Sequence, residues 1–375
     1  MIMGRPPIPG THQPLSHATL EVNLGAVAEN YKEMRRRYEG TVLSAVVKND
    51  GYGLGLEPIV RRLSAEGCTH FWVLDLAEGL RARASASDEA EICALHGLQN
   101  TAPEEFDRQR VVPVLATLEE VAATAAAARR LGRPIVVSVQ LDTGLGRLGL
   151  CEAEVAILAD RREWLDVLEI RTWVSHLASF DVPDAPSNEE QREKLVNWVG
   201  RLKPAPISLA SSAGIYMGAH WHFDVARVGS ALYGVQTSAI WQDGLRPCYT
   251  LRAPLLRVTE MPEGACVGYR RMTRLGRRSL IATAQIGYGN GLPQALAKYA
   301  KVDIAGHQVP IVGGIAMNLA MIDVTDVPRG LVDTATVATF LDERHTVDDL
   351  ARQMDCAPNA ILTQVGACTP RIYRD

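Results

Sequence analysis

The sequence predicts a closed (β/α)8, TIM-type barrel of parallel strands followed by a mostly β domain. Three observations carry that expectation. From about Thr19 to Val235, apolar strand-like runs alternate with segments of helical apolar spacing. The runs are almost continuously apolar, as strands covered on both faces are, which calls for a parallel sheet. After about Gln236 strand-like runs follow one another, with turn residues between them and little helix until Thr346–Met354. Roughly eight strand–helix units favour the barrel over a doubly wound open sheet.

Taken in order, residues 1–18 read as a Pro- and Gly-rich N-terminal extension, with no apolar core for a signal peptide. Residues 19–240 form the barrel. Its strands are expected at Val42–Val47, His70–Leu74, Glu91–His96, Val111–Leu115, Ile135–Leu141, Val167–Val174 and Ile207–Ala210. Helices are expected at segments such as Thr117–Leu131 and Asn188–Leu202. The second domain spans 241–375, with its boundary in Gln236–Pro247 and strands at Tyr249–Val258, Ser279–Gln285, Val309–Ile315 and Met321–Val324. A chain of 375 residues is long enough for both domains. A net charge of −4 and a sequence pI of about 6.2 give no reason to expect a nucleic-acid or membrane partner. Seven scattered cysteines, an odd number with no close pair, fit a reducing compartment. No apolar run approaches membrane length. The expectation is a soluble, cytoplasmic protein without a metal.

The organising stretch is Ser44-Ala45-Val46-Val47-Lys48-Asn49-Asp50-Gly51-Tyr52-Gly53-Leu54-Gly55. An apolar strand ends at a lysine, and the C-terminal ends of barrel strands are where chemistry sits. Partial burial lowers the pKa of such an amine and makes it a usable nucleophile. An isolated strand-end lysine more often snorkels to water. Here Gly53 and Gly55 follow, and they let backbone approach an anion closely.

Further on, Gly144-Leu145-Gly146-Arg147-Leu148-Gly149 fits G-x-G-x-x-G after a strand, with Glu169 about twenty residues later. A dinucleotide site is disfavoured because the motif comes after several βα units instead of opening the sheet. Its arginine would also point into the turn that must cradle pyrophosphate. Thr172–Ser179 sets His176 at another strand end, where a lone histidine is usually a satisfied core residue. Ala210–Gly214 and Ala226–Gly234 contain Ser212, Arg227 and Gly229, with hydroxyl and amide donors suited to a phosphate. Ordinary helix capping is the alternative for these serines. In the β domain stand Val267-Gly268-Tyr269-Arg270, Ile286-Gly287-Tyr288-Gly289-Asn290-Gly291 and Ile311–Asn318, which ends in Met317-Asn318.

Together these motifs resemble, in order, those of bacterial alanine racemases, the barrel-type (fold type III) pyridoxal-phosphate enzymes. The likeness runs from about Thr19 to Tyr373. It implies that Lys48 carries pyridoxal 5'-phosphate covalently and that Tyr52, Ser212 and Gly229 bind the phosphate. Arg147 would bond the cofactor's phenolic oxygen and the substrate, Arg227 the pyridine nitrogen, and His176 would orient Arg227 and the catalytic tyrosine. Tyr269 would be the second base, arriving from the other subunit of a homodimer, with Tyr288 and Met317 on the substrate side. A cation at the pyridine nitrogen keeps it unprotonated and weakens the electron sink, so the carbanion reprotonates at Cα before transamination.

The chain departs from the family pattern at Gly51 (usually Ala), Leu54 (His) and Gln140 (Lys, often carbamylated). Ser208 replaces a His, Asn318 an Asp, Gln294 and Gly314 entrance arginines, and Ala367 a Tyr, while Asp181 is kept. These changes bear on substrate range and cofactor affinity. The leading expectation is a two-base alanine racemase using Lys48 and Tyr269. The alternatives are a serine or broad-specificity amino-acid racemase, a non-catalytic cofactor carrier, and a decarboxylase on the same barrel.

Overall fold

A computed structural model describes residues 17–375 apart from Trp241. Residues 1–16 of the expected N-terminal extension lie outside the described residues. The chain divides into two compact units, one of Leu24–Arg246 and one that joins residues up to Asn23 to Pro247–Asp375.

The first described strand, β1 (Thr19–Asn23), belongs to the second unit, whereas the sequence reading begins the barrel there. It pairs antiparallel with the strand Tyr249–Met261 and parallel with the strand Arg371–Arg374. The eight barrel strands follow: β2 (Val42–Val46), β3 (His70–Val73), β4 (Glu91–Ala94), β5 (Val112–Leu115), β6 (Ile135–Gln140), β7 (Leu168–Val174), β8 (Ile207–Ser208) and β9 (Val225–Val228). All are parallel, in the order β8-β7-β6-β5-β4-β3-β2-β9. A parallel bridge between Ser211 and Arg227, with the Arg227 amide donating to the Ala210 carbonyl at 2.9 Å, closes the ring.

Seven of the eight strands fall within the expected runs. The eighth, β9, was not expected as a strand, because Arg227 interrupts an otherwise short apolar run. Inward-facing Val46, Trp72, Cys93, Val112, Val114, Val174 and Val225 fill the barrel interior. Outward-facing Ala45, Phe71, Val73, Ile92 and Ala94 are as deeply buried, since helices cover that side. Helix Leu118–Leu131 shows how the sequence bounds one. Thr117 caps its first turn by accepting from the Glu120 amide, and Gly132 ends it in left-handed geometry at φ 65°. No described helix is long and apolar enough to cross a membrane.

The second unit is strand-rich: β10 (Tyr249–Met261), β11 (Cys266–Val267), β12 (Thr273–Arg274), β13 (Ser279–Ala284), β14 (Lys301–Ile304), β15 (His307–Ile315), β16 (Ala320–Asp323), β17 (Val337–Leu341) and β18 (Arg371–Arg374). The 13-residue β10 pairs with β1 and β17 in its first half and with β13 in its second. That double pairing closes β13-β16-β15-β14-β17-β10 into a ring of antiparallel strands. Helix Val347–Met354 opens with a capping box in which Thr346 and Asp349 bond each other's amides. Helix Pro358–Cys368, which the sequence reading did not name, starts on a proline at its first position.

Candidate active site

The mouth of the barrel gathers Lys48, Tyr52, Arg147, His176, Ser212, Arg227 and Gly229, all carried at or just beyond strand ends. Lys48 sits two residues past β2. From there Asn49 (φ 53°), Asp50 (φ 54°), Gly51 (φ 62°), Tyr52 (φ 57°) and Gly53 (φ 84°) run consecutively in left-handed geometry. Where a loop was expected, the chain makes one turn of left-handed helix. The Gly51 amide reaches the Val47 carbonyl, and the Gly53 amide the Asn49 carbonyl, both at 2.8 Å. For non-glycine residues this conformation costs roughly 1–2 kcal/mol each. Such strain is held where function requires it and the surroundings enforce it.

The enforcement is visible. The Glu78 carboxylate accepts from the Asp50 and Leu74 amides, each at 2.8 Å. The Asp50 carboxylate accepts from the Leu56 amide at 3.2 Å and from Arg81 at 2.5 Å. Arg81 also holds Glu57 through two bonds, at 2.7 and 2.8 Å. Glu78 and Arg81 were not singled out from sequence. The signal that could have found Glu78 is Asp75-Leu76-Ala77-Glu78, a capping-box spacing at the end of β3.

Arg227 is 7 % exposed. One terminal nitrogen donates to the Ser208 carbonyl at 3.0 Å and to the Ser208 hydroxyl. The other donates to the Ser175 carbonyl at 2.6 Å and meets His176 Nδ1 at 3.4 Å. A guanidinium can only donate, so Nδ1 is the acceptor and the imidazole proton lies on Nε2. Burial, with Arg227, Arg147 and Lys48 nearby, brings the His176 pKa down to about 3 and keeps the ring neutral. Burial and Arg147 bring Arg227 down to about 10, still charged at neutral pH. Ser208 thus supports Arg227 through both its carbonyl and its hydroxyl.

Burial, then the charges of Arg147 and Arg227, hold the Lys48 amine below the usual lysine range, with Glu78 opposing. Arg147 is carried by a loop organised around Asp142. The Asp142 carboxylate accepts amides from Gly144, Leu145, Gly146 and Arg147 at 2.8–3.0 Å. Burial works to raise its pKa, but the four amides prevail and leave it below the ordinary value. This nest fills the G-x-G-x-x-G turn with the chain's own carboxylate, which removes the dinucleotide alternative. Among the described residues neither Gln140 nor a carboxylate bonds the Arg147 guanidinium.

The other end of the mouth is built for an oxyanion. Ser212 Oγ accepts from the Gly229 and Ala231 amides at 3.1 and 3.2 Å. The Tyr52 hydroxyl bonds the Ser230 side chain, and burial pushes its pKa up to about 12, so it stays protonated as a donor. A Cβ at Gly229 would lie 2.3 Å from Tyr52 Oη, so only glycine leaves this cradle open. Phosphate-sized donors at one end and unpaired cations at the other fit an anionic, aromatic cofactor. Among the described residues no group of His, Cys, Asp or Glu is placed to hold a metal ion.

In the second unit Tyr269, Tyr288 and Met317 share one face. Tyr269 tips the β11–β12 hairpin and is 76 % exposed, not set within an apolar strand. The hairpin packs so closely on β15 that a Cβ at Gly268 would lie 1.9 Å from the Gly313 carbonyl. The Tyr288 amide donates to the Ala316 carbonyl at 3.0 Å, and the Gly289 amide to that of Met317 at 2.8 Å. Met272, Met317 and Leu319 add apolar surface to the same exposed face.

Comparison with known proteins agrees with this geometry. Residues 22–237 match the family model for the alanine racemase N-terminal domain, and 248–373 that for the C-terminal domain. The chain is 35 % identical over 364 residues to an alanine racemase of Rhodospirillum rubrum, covering 96 % of this chain and 97 % of the relative. It is 32 % identical over 354 residues to a catabolic alanine racemase of Agrobacterium fabrum, covering 94 % and 91 %. The crystal structure of an alanine racemase from Bartonella henselae with covalently bound pyridoxal phosphate superposes with a TM-score of 0.91 at 28 % identity, covering 96 % of this chain and all of that one. With residues 22–237 and 248–373 matched by the two domain models and a relative 35 % identical over 96 % of the chain, the chain belongs to the alanine racemase family.

Proposed function

We propose that this chain interconverts L-alanine and D-alanine with pyridoxal 5'-phosphate held at the barrel mouth, working as a homodimer in the cytoplasm. The observation that carries the reading is Arg227: a buried cation, pinned by Ser208, Ser175 and His176, in the same mouth as the amine of Lys48. When bound, the cofactor supplies an electron sink for the Cα carbanion. Tyr52, Ser212 and the backbone at Gly229 would hold its phosphate. Arg227 would face the ring nitrogen and, as a buried cation, would disfavour a proton there, which limits the strength of that sink. Arg147 takes the substrate carboxylate and the cofactor's phenolic oxygen.

Lys48 would hold the cofactor, and its amine is placed to move a proton at Cα on one face. Burial, then Arg147 and Arg227, lower its pKa, which favours the free amine that a base requires. Tyr269 of a second copy serves the opposite face, where inversion demands a second proton donor. The exposed face of Tyr269, Met272, Tyr288, Met317 and Leu319 supports its burial against another chain. Tyr288 and Met317 then border the substrate. Seven free cysteines support a reducing setting.

A racemisation assay over a panel of L-amino acids tests the reading. Alanine should give the highest kcat/KM. A panel led by serine, or broad across side chains, would favour the wider racemase that neutral Asn318, Gln294 and Gly314 motivate. No inversion of any amino acid by cofactor-loaded protein would sink the proposal.

A further inference from the structure

We propose that Glu78, aided by Arg81, is the positioning residue that sets Lys48 and Tyr52 in working geometry by pinning the left-handed turn between them. The proposal rests on the reading of Lys48 as the cofactor-bearing amine. Asp50 lies in the middle of that turn and is gripped twice by helix Leu76–Arg83. Glu78 takes its backbone amide at 2.8 Å, and Arg81 takes its carboxylate at 2.5 Å. The two grips come from residues three apart, hence from one helix face.

The Glu78 contact is unusual for its position. Asp75 caps the helix by accepting from the Glu78 amide at 2.9 Å, which makes Glu78 the third residue of the first turn. A glutamate there ordinarily folds back to the amide of the capping residue. Glu78 instead reaches the Leu74 amide and crosses to Asp50 on a different strand-end loop. One carboxylate therefore ties the end of β3 to the turn that follows β2. Both of its oxygens accept from backbone amides, one from each of the two strand-end segments. Its negative charge is also the one that opposes the arginines acting on Lys48. Without the tie, a turn dominated by left-handed non-glycine residues relaxes toward ordinary geometry. Lys48 at its start and Tyr52 at its end then lose their fixed spacing.

Glu78→Gln removes the charge and turns one acceptor into a donor facing an amide N–H. Three readouts apply: hydrogen–deuterium exchange of the peptide over residues 48–54, the pH dependence of Lys48 acetylation in cofactor-free protein, and pyridoxal-phosphate affinity. Exchange should accelerate at least tenfold, the Lys48 midpoint should move to lower pH, and affinity should fall at least tenfold. A purely structural role would lower the melting temperature and leave the Lys48 titration in place, and that result overturns the proposal. So does a folded variant with wild-type exchange over 48–54. If Glu78→Gln does not fold, Arg81→Gln takes its place, read by exchange over 48–54 and cofactor affinity, with no acceleration overturning the claim. Lys48 acetylation in cofactor-free protein does not depend on which reaction the enzyme runs. Wild-type protein without racemase activity would therefore sink the functional reading alone.

Discussion

Gly229→Ala tests the phosphate end of the site by geometry alone. The φ of Gly229 is −122°, not the left-handed geometry that favours glycine, and the direct effect of an added methyl is the contact it makes. Its Cβ would lie 2.3 Å from Tyr52 Oη, 3.1 Å from Tyr52 Cζ and 3.4 Å from Val46 Cβ. Carbon–oxygen contacts settle near 3.3 Å, so the hydroxyl must retreat by about 1 Å. It cannot do so freely. The Tyr52 ring packs on Tyr233 with centroids 4.7 Å apart, and the Tyr233 hydroxyl is fixed to the Val46 carbonyl at 3.1 Å. The expected loss is one hydrogen bond to a charged phosphate, about 1.5–3 kcal/mol. That corresponds to roughly 10- to 150-fold weaker cofactor binding. Equilibrium titration of cofactor-free protein with pyridoxal phosphate, followed by absorbance, measures it.

Tyr52→Phe serves as the partner in a double-mutant cycle. Removing Oη clears the space that the new methyl needs, so Gly229→Ala should cost far less in the Tyr52→Phe background than alone. Affinity within twofold of wild type for Gly229→Ala would refute the reasoning. Additive losses in the cycle would show that the glycine does not act through the tyrosine.

Lys48→Ala should abolish covalent cofactor retention and leave activity at background; in wild type, borohydride reduction and peptide mapping should place the label on Lys48, and label on another lysine rejects the assignment. Arg227→Glu should slow racemisation and raise pyruvate-forming transamination, because a carboxylate returns a proton to the ring nitrogen; an unchanged ratio of the two reactions removes its electronic role. Lys48→Ala mixed with Tyr269→Ala, each inactive alone, should recover roughly a quarter of wild-type activity after random subunit exchange, since about half the dimers are mixed and one site in two is intact. No recovery after verified exchange rules out the shared site. The folded-state pKa of His176 lies far below its ordinary 6.5, so its contribution to stability is full above pH 6.5 and is lost as pH falls toward about 3. His176→Gln should flatten that acid limb in thermal melts, and an unchanged pH slope counts against a neutral, buried ring.

What the sequence disclosed and what it hid differ by the kind of partner involved. Lys48 was legible because its environment is local: an apolar strand before it, glycines after it. Arg147, His176 and Ser212 were singled out by the family resemblance of the short strings that hold them, since the residues alone also allowed a core histidine and a helix-capping serine. Glu78 was hidden because its partners are backbone amides, one of them 28 residues away in sequence, and amides leave no mark on residue type. Strand β1 was misassigned although its signal was there. Thr19-Leu20-Glu21-Val22-Asn23 alternates polar and apolar, as a strand with one solvated face does, unlike the continuous apolar runs of the barrel. Strand β9 was missed because a charged residue inside a barrel strand breaks the local rule, and only the tertiary cage of Ser208, Ser175 and His176 makes Arg227 tolerable there. The left-handed turn from Asn49 to Gly53 breaks a local rule as well, and only Glu78 and Arg81 make sense of it. Both violations fall at the barrel mouth. Positions where local preference loses to tertiary contacts are where a fold stores function. Here they are the amine's turn and the arginine's strand, so changes that relieve either violation should stabilise the scaffold and disable the site.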